Sequence, residues 1–483
     1  MNTPVKSSRQ AAISILSDIL ESGAYANIAL RKALPQTGLD SRDRAFVTEL
    51  VNETLRNLLS IDHVLNHFSK VPVAKMKPFI RNLLRISVCQ LRHIAKTPES
   101  AAVNEAVILA KANGYAGLSG YVNGVLRTIV RQPDTPPMPS PGGPEYLARR
   151  YSYPRRLAAS LVKWLGAEEA EIFCQNSHLP PPVTIFVNTH KTTPEALAEA
   201  LRDEGVECLP LDAYRQPEAI VSPLLDMHHP NVESAPPPDV HHSNTANSPL
   251  GSFLVIRNTG DISKLNAFLQ GHFIVMDPGA VFAVTAMGLT PGQTVIDLCA
   301  APGGKSVVAA CHMGNTGRVH ACDIHPHRTG LIKETVKRLG LTCITPKTAD
   351  ATIYDPALDS TADAVLLDVP CSGFGTIRKR SEIKYNRTAA DIISLAEKQR
   401  QMLSIAAKYV KPGGILVYST CTVTREENIN NIHWFLQRHS FKVQPFPGPN
   451  PEEMRFIEED GCIQILPGPF NDGFFIAAMK KNL

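Results

Sequence analysis

Residues able to do chemistry cluster at the ends of five hydrophobic runs in the C-terminal part of the chain. Asp297-Leu298-Cys299-Ala300-Ala301-Pro302-Gly303-Gly304-Lys305-Ser306 closes the first run, Asp323 the second, Asp350 the third, Asp368-Val369-Pro370-Cys371-Ser372-Gly373 the fourth and Ser419-Thr420-Cys421-Thr422 the fifth. The first of these is a turn of small residues. It lets a ligand approach the backbone and then opens a helix whose leading N–H groups face that ligand. Its Gly304-Lys305-Ser306 imitates the end of a triphosphate-binding loop, but such a loop needs glycine where Cys299 stands, and no Gly-x-Gly-x-x-Gly is present for a dinucleotide. Asp323 can accept both hydroxyls of a ribose. Asp350 can accept the exocyclic amine of an adenine, although alone it would read as a turn or N-cap aspartate. Together they describe a site for an adenosine. Cys371, Cys421 and Asp368 converge on the edge of the same pocket. Either cysteine alone reads as a small buried packing residue; beside an adenosine site the two read as reactive thiols.

The elements that must position these residues follow from hydrophobic period. After Met276 strands alternate with helices: 294–298, 318–322, from Ile344, 364–368 and 415–418 are extended, with helices at 305–312, 326–339 and 391–410 in the crossovers. That is a doubly wound α/β sheet over 276–483, in which ligands lie beyond the carboxyl ends of the strands. Residues 1–132 carry apolar positions at i, i+3, i+4 and i+7 and form an all-α bundle, with helices at 46–59, 61–68, 78–92, 101–112 and 118–131. Proline and glycine make 133–144 an extended linker. Residues 145–275 mix short helices (154–165, 194–204) with strands (183–187, 253–256), an α+β module interrupted at 222–250 by a Pro-, His-, Asn- and Ser-rich stretch that reads as a disordered insertion. Paired histidines at 228–229 and 241–242 lack the rigid support a metal needs, so no metal is expected.

The chain of 483 residues is too long for one core, and 43% hydrophobic with 19% charged residues fits a globular protein of two or three domains. No apolar run approaches the roughly 18 to 20 residues that span a bilayer, and no cleavable leader follows Met1, so no membrane and a cytoplasmic location are expected. Ten cysteines without a Cys-x-x-Cys pair argue for reduced thiols rather than a zinc ribbon or disulfide framework. Net charge is +4, yet residues 1–150 hold 19 Lys and Arg against 11 Asp and Glu, a balance of +8. The helical front is therefore the polyanion-binding part, unless its charge only solvates its surface.

Asp297–Lys305, Asp368–Gly373 and Ser419–Thr422, with the closing Asp472-Gly473-Phe474-Phe475, resemble the signatures of the NOP2/Sun family of RNA cytosine-C5 methyltransferases. The basic front, with Tyr121-Val122-Asn123-Gly124-Val125-Leu126-Arg127, resembles a NusB-type RNA-binding domain. The likeness covers the whole chain. It implies a NusB-like helical bundle, a small α+β RNA-binding module and a Rossmann-like S-adenosylmethionine-dependent methyltransferase domain. It further implies Cys421 as nucleophile, Cys371 as the second cysteine that assists release, and Asp368 in contact with the cytosine and the cofactor site. Cys299, Ala300, Ala301, Pro302, Gly303, Gly304, Lys305, Asp323 and Asp350 would hold S-adenosylmethionine. A fusion of these domains implies 16S ribosomal RNA as the partner, and a monomer is expected. Three features depart from the family pattern: Met276-Asp277-Pro278-Gly279-Ala280 replaces a glutamine-led motif, Tyr385 stands where tryptophan is common, and the 222–250 stretch has no counterpart.

The residues suit that reaction. Cytosine C5 is a poor nucleophile, and attack of a thiolate on C6 makes it enamine-like. A proton must be held at the N3 and amino edge, for which Asp368 is placed. The thiolate needs a neighbouring positive charge, from the sulfonium or from Lys305, which can also face the substrate. Arg378, Lys379 and Arg380 are expected to contact phosphates beside a flipped base, or to form only an exposed basic loop. The catalytic motifs leave open the same chemistry on transfer RNA or another ribosomal site, and an inert RNA-binding assembly factor.

Overall fold

The computed structural model describes residues 7–94, 97–132, 138–214 and 248–483. Most of the 222–250 stretch, with its paired histidines, and residues 133–137 of the linker lie outside the described residues. The chain forms two compact units. One holds the described residues up to Leu179 together with Ile377–Asn386, and the other holds the described residues of 180–376 and Arg387–Leu483. Among the described residues no helix is long and apolar enough to cross a membrane.

The first unit opens with α1 (Ser8–Ser22), α2 (Ala26–Ala33), α3 (Ser41–Arg56), α4 (Leu58–Phe68), α5 (Pro78–His93), α6 (Glu99–Ala112) and α7 (Ser119–Arg131). Local signals set their ends. Ser7 accepts the Gln10 N–H at the start of α1, Gly23 takes a left-handed φ of 72° at its end, and proline opens α5. Helix α5 is central, packing on α1, α3, α4, α6 and α7 with Leu83, Leu84, Ile86 and Val88 fully buried. The run expected at 46–59 is broken at Asn57, which leaves helical geometry (φ −105°, ψ 13°) and donates its side-chain amide to Glu53 O. The apolar period continues through the break, so period alone does not reveal it. Helices α8 (Pro144–Arg150), α9 (Arg155–Leu165) and α10 (Ala167–His178) join this unit rather than the following module. Ser152 Oγ accepts Leu59 N at 2.7 Å and the Ser60 hydroxyl donates to Arg149 O at 2.7 Å.

In the second unit β1 (Val183–Val187), α11 (Pro194–Asp203), β2 (Glu207–Pro210), β3 (Phe253–Arg257), α12 (Asn266–Leu269) and β4 (Phe273–Val275) build an antiparallel sheet of order β2-β3-β1-β4. Strand alternation divides its faces: Ile185 and Val187 meet Leu197 and Leu201 of α11, while Phe186 and Phe253 join the main core. The larger sheet then runs α13 (Val281–Thr285), β5 (Thr294–Asp297), α14 (Gly304–His312), β6 (Arg318–Asp323), α15 (Pro326–Leu339), β7 (Ile344–Thr348) and β8 (Ala362–Asp368). After α16 (Ile383–Asn386) come α17 (Ala389–Tyr409), β9 (Val410–Thr420), α18 (Ile429–Leu436), β10 (Phe441–Val443), β11 (Phe456–Glu459), β12 (Cys462–Ile465) and β13 (Phe474–Lys481). Its order is β11-β12-β13-β9-β8-β5-β6-β7, with β5 to β9 parallel and β13 antiparallel between β12 and β9. The chain moves outward from β5 through β6 and β7, then restarts at β8 on β5's other side. That reversal opens a crevice at the carboxyl ends.

Helix α16 and its flanks belong to the first unit, not to the sheet between whose elements they are inserted. Tyr385 donates its hydroxyl to Leu55 O at 2.9 Å and meets Ser152 O at 3.1 Å, a polar tie that a tryptophan could match only in part. Glu382 accepts the Ala26 N–H at 3.1 Å, and buried Lys384 donates to Arg56 O at 3.0 Å. Burial pushes the Lys384 ammonium down to about 7, and the charge of Arg56 acts in the same direction.

Candidate active site

The loop after β5 is held open by its backbone. Leu298 N–H donates to Leu366 O at 3.0 Å and Ala300 N–H to Cys322 O at 2.7 Å, which fixes Cys299 between two strand ends. Gly303 has φ 109°, a region glycine reaches without strain, and α14 begins at Gly304. The first-turn N–H groups of α14 have no intrahelical acceptor and are left to bind a ligand at this strand end. Asp297 is buried beneath the loop and accepts the Ser306 hydroxyl at 2.7 Å. Burial pushes its carboxyl up to about 7.

This has a consequence for stability. The folded chain binds the Asp297 proton more tightly than the unfolded chain, so this group's contribution is complete below about 4 and is lost as pH rises through about 7. An amide oxygen accepts the same Ser306 bond without ionising. Asp297→Asn is expected to gain on the natural chain by roughly 1 to 4 kcal/mol between pH 4 and pH 8. Thermal melts of both at the two pH values check this, and a constant difference in Tm would contradict it.

Asp323 closes β6 with its side chain 3% exposed. Its Oδ1 accepts the His325 N–H at 3.1 Å, and its Oδ2 lies 3.1 Å from Arg328 Nη1. The other arm of that guanidinium donates to Ala301 O at 2.9 Å, so Arg328 joins the acid to the glycine-bearing loop. Sequence reasoning misses Arg328. Its signal is a cation in the first turn of α15, where the helix dipole disfavours it unless an acid is near. Ile324, 43% exposed beside Asp323, offers an apolar face next to the carboxylate. Asp350 follows β7, the strand beside β6, and its Oδ1 accepts both the N–H and the hydroxyl of Thr352, which hold its carboxyl below the ordinary range. Carboxylates at two adjacent strand ends, an apolar face and a small-residue turn suit the ribose and adenine of S-adenosylmethionine, so Cys299–Lys305, Asp323 and Asp350 are the residues that would hold it.

The reacting groups sit across the reversal point. Asp368 ends β8. It accepts Lys305 Nζ at 2.6 Å on Oδ2 and the Ser419 hydroxyl at 2.9 Å on Oδ1. Burial lowers the Lys305 pKa, but the charge and hydrogen bond of Asp368 outweigh it, with Asp297 and Cys421 acting in the same direction, and the ammonium is held above its ordinary value. It also lies 4.8 Å from the Phe474 ring centroid. The two sulfurs, Cys371 Sγ and Cys421 Sγ, are 3.2 Å apart. The hydrogen bond with Cys421, then burial, drives the Cys371 thiol far up, with Cys421, Glu427 and Asp368 charges adding to it.

The C-terminal motif supports this geometry. Gly375 N–H donates to Cys421 O at 2.9 Å, and Gly473 N–H donates to Gly375 O at 2.9 Å. A Cβ on Gly375 would stand 2.2 Å from Gly473 O, so no side chain fits there. Asp472 N–H reaches Asp277 at 3.0 Å, which gives the unusual Met276–Ala280 motif a place in the same framework. Sequence-predicted residues thus meet in the second unit, with one group excepted. Arg378 is 2% exposed inside the first unit, where Arg56 Nη2 meets its carbonyl at 3.4 Å, so its side chain is not presented to a phosphate. Lys379 and Arg380 are exposed.

Residues 284–480 match the family model for 16S rRNA methyltransferase RsmB/F, 6–131 the NusB family, and 153–221 the ferredoxin-like domain of RsmF/B-like methyltransferases. The chain is 34% identical over 480 residues to the probable ribosomal RNA small subunit methyltransferase B of Bacillus subtilis (strain 168), covering 98% of each. It is 33% identical over 480 residues to the protein of the same description from Synechocystis sp., covering 98% of this chain and 99% of that one. The crystal structure of PH0851 superposes with a TM-score of 0.74 at 26% identity and full coverage of both chains. The structure of NSun6 from Pyrococcus horikoshii with SFG shares the fold, with a TM-score of 0.52 at 24% identity over 68% of this chain and 98% of that one. End-to-end similarity to these relatives leaves one assignment: the chain belongs to the ribosomal RNA small subunit methyltransferase B family, S-adenosylmethionine-dependent methyltransferases.

Proposed function

We propose that this chain methylates C5 of a cytosine in 16S ribosomal RNA, with Cys421 adding covalently to C6 and Cys371 serving the release step. The observation that carries this reading is the pair of sulfurs 3.2 Å apart beside a carboxylate that accepts a hydrogen bond from the Lys305 ammonium. Bound S-adenosylmethionine supplies an electrophilic methyl group. The chain supplies the rest. Lys305, kept charged, lies within electrostatic range of Cys421. As the Cys421 sulfur bonds to C6, electrons move toward C5 and the N3 edge, where the Lys305 ammonium, hydrogen-bonded to Asp368, can supply a proton through that side chain. Cys371 starts as a thiol because the neighbouring sulfur raises its pKa. Cys371, once its own proton has passed to water, stands where it can take the C5 proton, directly or through a water, after which the C6–sulfur bond breaks with its electron pair returning to Cys421. Lys379 and Arg380, both exposed, would contact phosphates of the RNA.

Bisulfite sequencing of 16S ribosomal RNA from cells with and without the gene tests the substrate. One cytosine is expected to lose its protection in the deletion strain and regain it on complementation. Loss confined to transfer RNA or to another ribosomal RNA would refute the 16S reading, and no loss anywhere, with labelled S-adenosylmethionine failing to bind, would favour an inert assembly factor.

A further inference from the structure

Glu427 is fully buried, lies outside the motifs read for chemistry, and places its carboxyl group between the two cysteine loops. Its Oε1 accepts Ser372 N–H at 2.9 Å and Gln399 Nε2 at 3.0 Å, and its Oε2 accepts the hydroxyls of Ser372 and of Thr424, the latter at 2.8 Å. All four of these donors are neutral. A buried carboxylate is costly to desolvate, and several well-aligned donors are what make it tolerable. The placement of the donors indicates what is gained. Ser372 directly follows Cys371, and Gln399 also donates to Pro370 O, directly before it, at 3.0 Å. Ser372 Oγ meets Thr422 Oγ1, directly after Cys421, at 2.7 Å. Tyr418, three residues before Cys421, donates its hydroxyl to the carbonyl of Glu427 itself at 2.6 Å. One residue thereby ties the chain on both sides of each cysteine.

We infer that Glu427 is a positioning residue that sets the distance and facing of the Cys371 and Cys421 sulfurs. The inference deepens the proposed function, since a base for the C5 proton must stand next to the sulfur that holds C6. Charge alone does not do this work; reach does, because the donors come from three different elements, Ser372 in the loop after β8, Gln399 in α17 and Thr424 in the loop after β9. Aspartate is one methylene shorter and cannot meet both loops. Glutamine keeps the length, with its oxygen toward the Ser372 and Gln399 N–H groups and its amide toward hydroxyls that can turn to accept.

The test oxidises the full-length protein, without RNA or cofactor, using diamide. Two thiols lose their hydrogens to form a Cys371–Cys421 disulfide while the azo bond is reduced to a hydrazine, and the coupled peptide is followed by mass spectrometry. Glu427→Asp and Glu427→Ala are expected to slow coupling by about tenfold or more, with Glu427→Gln within about threefold of the natural chain, since small displacements of paired reacting groups have effects of this order. In methyl transfer to RNA, Asp is expected to lower kcat by a similar factor and leave KM and cofactor affinity within about twofold. Coupling by Glu427→Asp at the natural rate would overturn the inference, as would equal losses in the Asp and Gln variants. If Ala fails to fold, Asp and Gln decide. The oxidation arm needs no methyl transfer, so an error in assigning the nucleophile would leave the coupling rates as stated, whereas an error about Glu427 would alter them.

Discussion

Cys421→Ala is expected to bind S-adenosylmethionine as the natural chain does and to lose methyl transfer to RNA by on the order of 10⁴-fold or more, the scale on which removal of a covalent nucleophile acts. Two features separate these effects. The proposed cofactor residues lie on the loop after β5 and at the ends of β6 and β7, while Cys421 follows β9 on the other side of the reversal. Cys421 is also partly exposed, and its carbonyl, which holds Gly375, is unaffected by loss of the side chain. The framework should therefore survive. Labelled-methyl incorporation into 16S ribosomal RNA, set beside equilibrium binding of the cofactor, gives the answer. Turnover within tenfold of the natural chain would remove Cys421 from the nucleophile's role.

Cys371→Ala is expected to behave in the opposite way, accumulating a covalent protein–RNA adduct. Attack is retained because Cys421 and Lys305 are untouched, and release is impaired because the group 3.2 Å from the attacking sulfur is gone. The adduct should run as a slower band on denaturing gels under methylating conditions, be absent from the double variant lacking Cys421, and turn over about 10²-fold or more slowly than the natural complex, the range seen when a general base is removed. Absence of the band, with steady-state methylation intact, would assign proton removal to another group.

Much of the catalytic unit is legible in the amino-acid sequence because its signals are local. The strands ending at Asp297, Asp323 and Asp368 are short hydrophobic runs closed by a polar residue, and the observed strands end at those residues. Helix starts are legible for the same reason; Thr388 and Asp391, for example, form a capping box at α17. Legibility falls where function depends on a partner far along the chain. Arg328 and Glu427 are ordinary charged residues on their own helix or loop, and Arg378 reads as a phosphate ligand because its burial within the helical unit leaves no trace in its neighbours' types.

Residue types and their spacing by themselves determined a helical front, a doubly wound sheet, a small-residue turn that opens a helix and two thiols carried to the same sheet edge, because each is written within a few turns or one strand. Only the tertiary structure decided the 3.2 Å gap between sulfurs 50 residues apart, the Glu427 tie that brackets both, the strand β13 laid antiparallel against β9, and the return of Ile377–Asn386 to the helical unit. The physical reason is that hydrophobic period and turn chemistry specify how a segment folds, whereas the identity of its neighbour follows from packing and hydrogen-bond satisfaction over the whole chain.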